Sequence, residues 1–589
     1  MARGIGSLRR SQLVTSFGPG ATIDLPDHSV IIGGLDWWPA HKCERIVEPR
    51  VEEAAARALG LPRVELRAPP ADDEMPGSNP VGVQVELFPL WFVAEHVEKR
   101  GTGRSRPLIN RSLITNGKFE VARGKKVNVT PVRFVQACEN GHIADIEWFE
   151  FTHGGPTSCR RQLWIDEFGT SGDLTDQQVR CECGKERALA QATRPEVLGT
   201  CKGQRPWLPR PEQCLTSEGK RLMMRLLIRT ASNAYYPEKL SALSLPESTD
   251  RARSAISSVW DVLVAVKDPA MLAAFRTIPR VQEALTDFSD ELVLQHIEAI
   301  RSGERPPRRA IKLEEFDALT GAGESLGDDR PEGVFFARRM PLPNPVPAVL
   351  KSVERVVLVH RLREVTAQLG FTRFEPVVPD LQGELDLAVR RASLATEVSW
   401  LPAMESRGEG IFLSFKTADL DEWRQRPQVQ RREAAFRSTP RAGSLPTAFD
   451  IRYVLLHSVA HLLITAVALD CGYNASSLRE RVYITPEGCG ILIYTGTTDA
   501  EGTLGGLVAA GRRIDKYLAM ALELARLCSN DPICSQHSPD RLLEEKYTLG
   551  AACHGCLLIA ETSCERRNEL LDRSLVVATV EQLDCEFFG

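Results

Sequence analysis

Between Cys528 and Arg573 the chain carries Cys528, Cys534, Cys553-His554-Gly555-Cys556 and Cys564. A Cys-x2-Cys pair on a tight turn offers two thiolates to one tetrahedral ion, and Gly555 supplies the turn. The second pair must come from Cys528, Cys534 and Cys564, so five thiols compete for four places. The spacing favours zinc ahead of an iron–sulfur cluster. A second group of candidate ligands lies upstream: Cys138, His142, His153, Cys159, Cys181, Cys183, Cys201 and Cys214. That segment is rich in Gly, Pro and short strands and has little to bury, so an ion is a reasonable source of its stability. Structural zinc supplies on the order of 10 kcal/mol to small domains. We read Cys159, Cys181, Cys183 and Cys201 as ligands, with Cys138 and His142 as substitutes, which makes two zinc sites in all. The competing accounts are core packing, against which the clustering argues, and disulfides, which need an oxidising compartment. Residues 1–10, Met-Ala-Arg-Gly-Ile-Gly-Ser-Leu-Arg-Arg, are followed by no apolar run and do not resemble a signal peptide.

Three further constellations could carry chemistry. Arg221, Arg225 and Arg229 fall four apart, on one face of an expected helix, and Tyr235 and Tyr236 follow at once. Guanidinium groups beside aromatic rings could track phosphates and stack bases in DNA binding, while a solvated face on a core helix is an equal account. His457 and His461 share a helical face in the geometry of a zinc protease, but Ser458 occupies the place of the general-base glutamate. Core or interface histidines are the better reading. Asp499 and Glu501 in an acidic Gly-rich loop, together with His457 and His461, could form a metal-dependent nuclease or hydrolase. No base or nucleophile is assigned there, and capping by Thr503 with glycine packing is the plainer account. The Gly18-Pro19-Gly20 loop reads as a structural turn, and no Walker motif is present, so ATP hydrolysis by this chain is not expected.

These residues must be positioned by several modules. A chain of 589 residues exceeds one core. Its 43% hydrophobic and 26% charged content is that of a globular protein, and a formal charge of -5 excludes a general basic coat, leaving nucleic acid to a local patch or a partner. We expect a mixed α/β multidomain fold: a β-rich zinc-binding part over residues 1–215, a helical middle over 216–312, and a C-terminal α/β domain with a cysteine zinc cluster over 313–589. Helices are expected at 52–59, 220–231, 256–266, 346–369, 420–437, 449–469 and 507–527, and strands at 129–136, 481–485, 491–494 and 575–580. The apolar stretch 454–469 is interrupted by His457, Ser458 and His461 and reads as too polar to span a bilayer, so we expect a cytoplasmic protein.

From Arg452 onward the residues resemble the domain that accompanies superfamily-two helicases and carries a cysteine-ligated metal. The matching stretches are His457 to His461, Gly502 to Gly506, Cys553 to Cys556, Cys564, and Leu571-Asp572-Arg573. With Ser16 to Asp24, Cys138 to His142 and Val356 to Arg373, almost the whole chain resembles the helicase-associated subunits of the bacterial anti-phage system DISARM. The resemblance implies a non-helicase subunit that binds a DrmA-like helicase, the pair engaging DNA of single-stranded or 5′-ended character.

Overall fold

The computed structural model describes residues 6–589 except 26–27, 72–80, 102, 170–171, 217, 247–254, 287, 303–308, 322, 328, 331, 378–379, 384, 386–389, 440–444, 447–448, 497–505, 542–547 and 582–583. The chain forms two compact units, each built from separated segments. One comprises Met1–Leu240, Thr366–Val378 and Asp386–Met404, the other Ser241–Val365, Pro379–Leu385 and Glu405–Gly589.

The first unit is β-rich. Its largest sheet is antiparallel and includes β1 (Gly103–Asn110), β4 (Leu163–Glu167) and β5 (Gln177–Cys181), with β4 between the other two. A separate three-stranded sheet has β2 (Phe134–Ala137) at its centre, flanked by β3 (Ile143–Ala144) and β6 (Arg225–Ile228). The short helix α1 (Trp148–His153) buries Trp148 and Phe151 against the Val93, Leu108, Leu163 and Val179 side chains and ends on left-handed Gly154. The predicted helix over 220–231 is not formed: β6 pairs with β2 through Leu227 opposite Val135 and Arg225 opposite Ala137. In a strand, side chains alternate between faces, so the four-residue spacing of the arginines no longer defines a helical stripe.

The second unit is organised on an antiparallel sheet. It includes part of β7 (Val353–Thr372), part of β8 (Trp400–Phe415), β9 (Leu478–Thr485) and β10 (Gly488–Thr495), with β10 paired to both β8 and β9. The 20-residue β7 replaces a predicted helix over 346–369. Its Val353, Val356, Val357 and Val359 are buried, and β-branched residues in such a run suit a pleated, two-sided burial better than a helix. Helix α2 (Ile451–Cys471) starts at Asp450, whose carboxylate accepts from the Arg452 amide at 2.9 Å, and stops at left-handed Gly472. It is apolar all round because protein surrounds it. By length and composition it would cross a membrane, yet 72% of its most apolar window is buried within the protein. Helix α3 (Ile514–Arg526) packs on α2, and both sit in the main core with Phe412's neighbours Ile411 and Leu413. The predicted helix over 507–527 is two helices, Gly506–Gly511 and α3, and the predicted helix over 420–437 breaks at Pro427. The predicted closing strand over 575–580 is instead a short 3-10 turn, Arg573–Leu575, with irregular chain after it.

Candidate metal centres

All 15 cysteines are free thiols, and among the described residues eleven of them fall into four groups, three of which also take in histidines and one of these a glutamate. The first C-terminal group is Cys528, Cys534, Cys553 and Cys556. Cys528 leaves the end of α3, Cys534 lies on the short Ile533–Gln536 helix, and Cys553 and Cys556 share one turn. Their sulfurs stand 3.3 Å (Cys528 to Cys553), 3.7 Å (Cys553 to Cys556) and 3.8 Å (Cys534 to Cys556) apart. A tetrahedral ion with bonds of about 2.3 Å to sulfur separates its ligands by roughly 3.8 Å, so the donor set fits zinc. Four thiolates would leave such a site doubly negative, and the surroundings answer that charge. Amides of Asn530 and Gly555 point at Cys528 and Cys553 at 3.4 and 3.3 Å, the Asn530 side chain reaches Cys553 at 3.3 Å, and Arg573 lies beside Cys534. A Cβ on Gly555 would sit 2.8 Å from Ser529 Oγ and in contact with two of the sulfurs at 3.5 Å, so a larger residue between the paired thiols would have to displace the Ser529 hydroxyl.

The upstream cysteines divide into two groups rather than one. Cys201 does not join Cys159, Cys181 and Cys183; it stands with Cys138, His142 and Cys214, all buried. The β2–β3 hairpin sets Cys138 and His142 four residues apart, turning through left-handed Gly141, and His142 Nδ1 lies 3.3 Å from Cys138 and 3.6 Å from Cys201. The other ring nitrogen meets Glu212 at 2.7 Å, the carboxylate–histidine arrangement that orients metal ligands. Cys159, Cys181 and Cys183 instead take His153 from the end of α1 as their fourth member. Its Nε2 is 3.1 Å from Cys183, and its Nδ1 donates to the Phe149 carbonyl at 2.7 Å. In each of the three sulfur-rich groups one thiol is biased toward thiolate. Cys201 is drawn down to about 4, led by its hydrogen bond from Cys138 against the opposing pull of burial. Cys183 falls to about 6, led by the Lys185 amide, and Cys534 to about 6, led by Cys556 against burial.

Cys564 stands apart from the four downstream thiols, in a group with His457, His461 and Glu480. Both histidines are fully buried on α2. Asp499 and Glu501, the other members of the nuclease or hydrolase alternative, lie outside the described residues. Nothing in the sequence marked Glu480 or Glu212. Glu480 sits between Arg479 and Arg481 and reads as part of an exposed charged strand, whereas those arginines reach buried Glu364 and Glu315, at 2.7 and 2.6 Å.

The arginine and tyrosine strip is also rearranged. Arg221 and Arg225 are exposed, and Arg225 lies over the Phe374 ring at 4.4 Å. Arg229 turns inward, donating to the Val132 carbonyl at 2.9 Å and pairing with Asp24. Tyr235 packs on Phe371 with ring centres 4.8 Å apart and receives a hydrogen bond from Gln368. Arg229 and Tyr235 are therefore structural, and Tyr236 is half-buried.

Residues 459–557 match the family described as the MrfA Zn-binding domain, and residues 9–236 match a domain of unknown function, DUF8724. A DISARM protein DrmB from Bacillus paralicheniformis is 32% identical over 483 residues, an alignment that covers 78% of this chain and 82% of the relative. The chain belongs to the DrmB family. Membership assigns it to DISARM antiviral defence, and the zinc-binding match covers the four-cysteine group of this DrmB-family chain from Cys528 to Cys556. A crystal structure of the DUF1998 helicase MrfA bound to DNA is also similar, at 14% identity and a TM-score of 0.19. The match covers 38% of this chain and only 24% of the helicase, too little to transfer geometry.

Proposed function

We propose that this DrmB-family chain is a non-catalytic assembly subunit that partners a DrmA-like superfamily-two helicase in the cytoplasm and promotes engagement of single-stranded or 5′-ended DNA. The observation that carries this reading is how the chain uses its ligand-type residues. Each of the three sulfur-rich groups presents four protein donors, a closed set that leaves no position for a water or substrate, which is the pattern of structural rather than catalytic zinc. In this reading each group holds one Zn2+, the ion supplying folding free energy to loops that bury little. Two of the three lie in the first unit and one in the second, so each unit keeps its own staple. The DNA contact falls to the exposed Arg221 and to Arg225 with the Phe374 ring beneath its guanidinium, in place of the predicted five-residue strip.

The test is fluorescence anisotropy of labelled single-stranded and 5′-overhang DNA with helicase alone and with helicase plus this chain, across a salt series. We expect tighter binding with the chain present, weakening steeply with salt because phosphate contacts release counterions. Arg221→Glu with Arg225→Glu should remove most of that gain while the complex still forms. Binding no better than helicase alone would defeat the proposal.

A further inference from the structure

We propose that His457, His461, Glu480 and Cys564 form a fourth metal centre, a closed structural site of two nitrogens, one oxygen and one sulfur inside the second unit, suited to Zn2+. It goes beyond the three sulfur-rich sites and does not depend on the DNA or helicase reading.

The geometry brings one donor atom from each residue within 4.8 Å of the others. His457 Nε2 lies 2.7 Å from Glu480 Oε1 and 3.2 Å from Cys564 Sγ, and His461 Nε2 lies 3.2 Å from the same Glu480 oxygen. One ion with bonds of about 2.0–2.3 Å can bridge that span. The residues come from three elements: the histidines one turn apart on α2, Glu480 on β9, and Cys564 on the loop after the four-cysteine group.

Donor and acceptor counting separates an ion from an ordinary buried polar cluster. His457 Nδ1 faces the Leu570 carbonyl at 3.2 Å and His461 Nδ1 faces the Leu557 carbonyl at 2.7 Å. A carbonyl only accepts, so both Nδ1 atoms carry the proton and both Nε2 atoms present lone pairs to the centre. Without an ion, either Nε2 of both rings donates to Glu480, which sets two doubly protonated rings side by side in a core where both histidines are 0% exposed, or Cys564 and Glu480 donate to the rings, which holds Glu480 as a buried neutral acid. With an ion the same orientation is what ligation demands, each ring held by its second nitrogen. Charge agrees. One thiolate, one carboxylate and two neutral imidazoles cancel a divalent cation, whereas the bare Glu480 carboxylate would be buried with no hydrogen-bond partner for its Oε2 among the described residues. Around Cys564 the Arg566 and Asn568 amides point at the sulfur from 3.4 and 3.1 Å, across a turn in which Arg567 and Asn568 are left-handed, donors of the kind that support a metal-bound thiolate. On binding, the Cys564 thiol releases its proton to buffer and the metal–sulfur bond takes its place.

The test uses the full chain. Elemental analysis of zinc-replete protein should give four ions per chain, and Cys564→Ser and Glu480→Gln should each give three while Cys553→Ser loses a different one. Because these variants could fail to fold, wild-type protein reconstituted with 113Cd provides the second readout. We expect a resonance of a one-sulfur centre, far from those of the four-sulfur and three-sulfur centres. Folded wild-type protein that shows only sulfur-rich cadmium resonances overturns the proposal whatever the variants do, as does a Cys564→Ser protein that retains four ions. Loss of a sulfur-rich resonance with the one-sulfur signal intact would count against the three other sites and leave this one standing.

Discussion

Ser458 stands where a zinc protease would carry its glutamate, and both hydrogen bonds of its hydroxyl serve the fold. It donates to the Val454 carbonyl at 2.7 Å and accepts from the Asp572 amide at 2.8 Å. Asp572 in turn pairs with Arg432 at 2.6 Å and accepts from the Ala551 and Ser574 amides, so the Leu571-Asp572-Arg573 motif is a buried junction. Ser458→Ala leaves the Asp572 amide unsatisfied and should cost about 1–3 kcal/mol in denaturant unfolding, with metal content unchanged. Asp450 gives a prediction with a pH signature. Burial pulls its carboxyl upward, but hydrogen bonds and charge from Arg452 outweigh that and hold it below its ordinary 3.8. A carboxylate with a lowered folded-state value adds stability above that ordinary value and loses it as pH falls through the lowered one. Asp450→Asn keeps a helix cap yet removes the charge, so it should be less stable than wild type at pH 7 by about 1.5–3 kcal/mol, with the gap closing below pH ~3.8. Equal pH profiles for the two proteins would show that the pair adds nothing.

At the level of elements, the chain advertises some pieces and conceals others. Helix α2 was legible from its continuous apolar run, and its boundaries follow from Asp450 and Gly472. Leu463, fully buried in it, should cost about 2–5 kcal/mol when changed to alanine, since the packed sheet and α3 cannot collapse into the space; thermal unfolding checks this. The strand β7 was not legible as a strand because its charged residues, Glu354, Arg355, Arg361, Arg363 and Glu364, do not alternate with apolar ones, and most of the run is buried on both faces, so there is no period of two to read. The arginine strip failed for a different reason. Arg221, Arg225 and Arg229 have helical spacing by coincidence, and pairing of β6 with β2, a distant partner in sequence, overrides local preference. Metal-type residues were recognisable by kind, whereas their grouping depended on how hairpins fold. Cys201 and Cys159 lie 42 residues apart in the same candidate stretch and end in different groups.

For the whole molecule, boundaries at 215 and 312 are natural from composition, but both compact units draw in later segments, and a linear scan cannot see a chain that returns. Zinc should matter to both units. Thiolate ligands must be deprotonated, so acidification releases the ions: the stabilisation is present at neutral pH and is lost as falling pH protonates the sulfurs. A strong chelator at pH 7.5 should lower the midpoint of thermal unfolding well beyond the scatter of repeats, and added Zn2+ should restore it. An unchanged midpoint after verified zinc removal would refute structural zinc.

Cys183 is the exposed corner of an otherwise sheltered set, and it is also one of the thiols most inclined to ionise. With its ion removed, electrophiles and oxidants therefore meet the first unit there before anywhere else. Brief treatment of the zinc-stripped chain with iodoacetamide should label Cys183 ahead of the other candidate ligands, and peptide mass mapping would reveal that order, making this outward-facing sulfur a chemical weak point once zinc is lost.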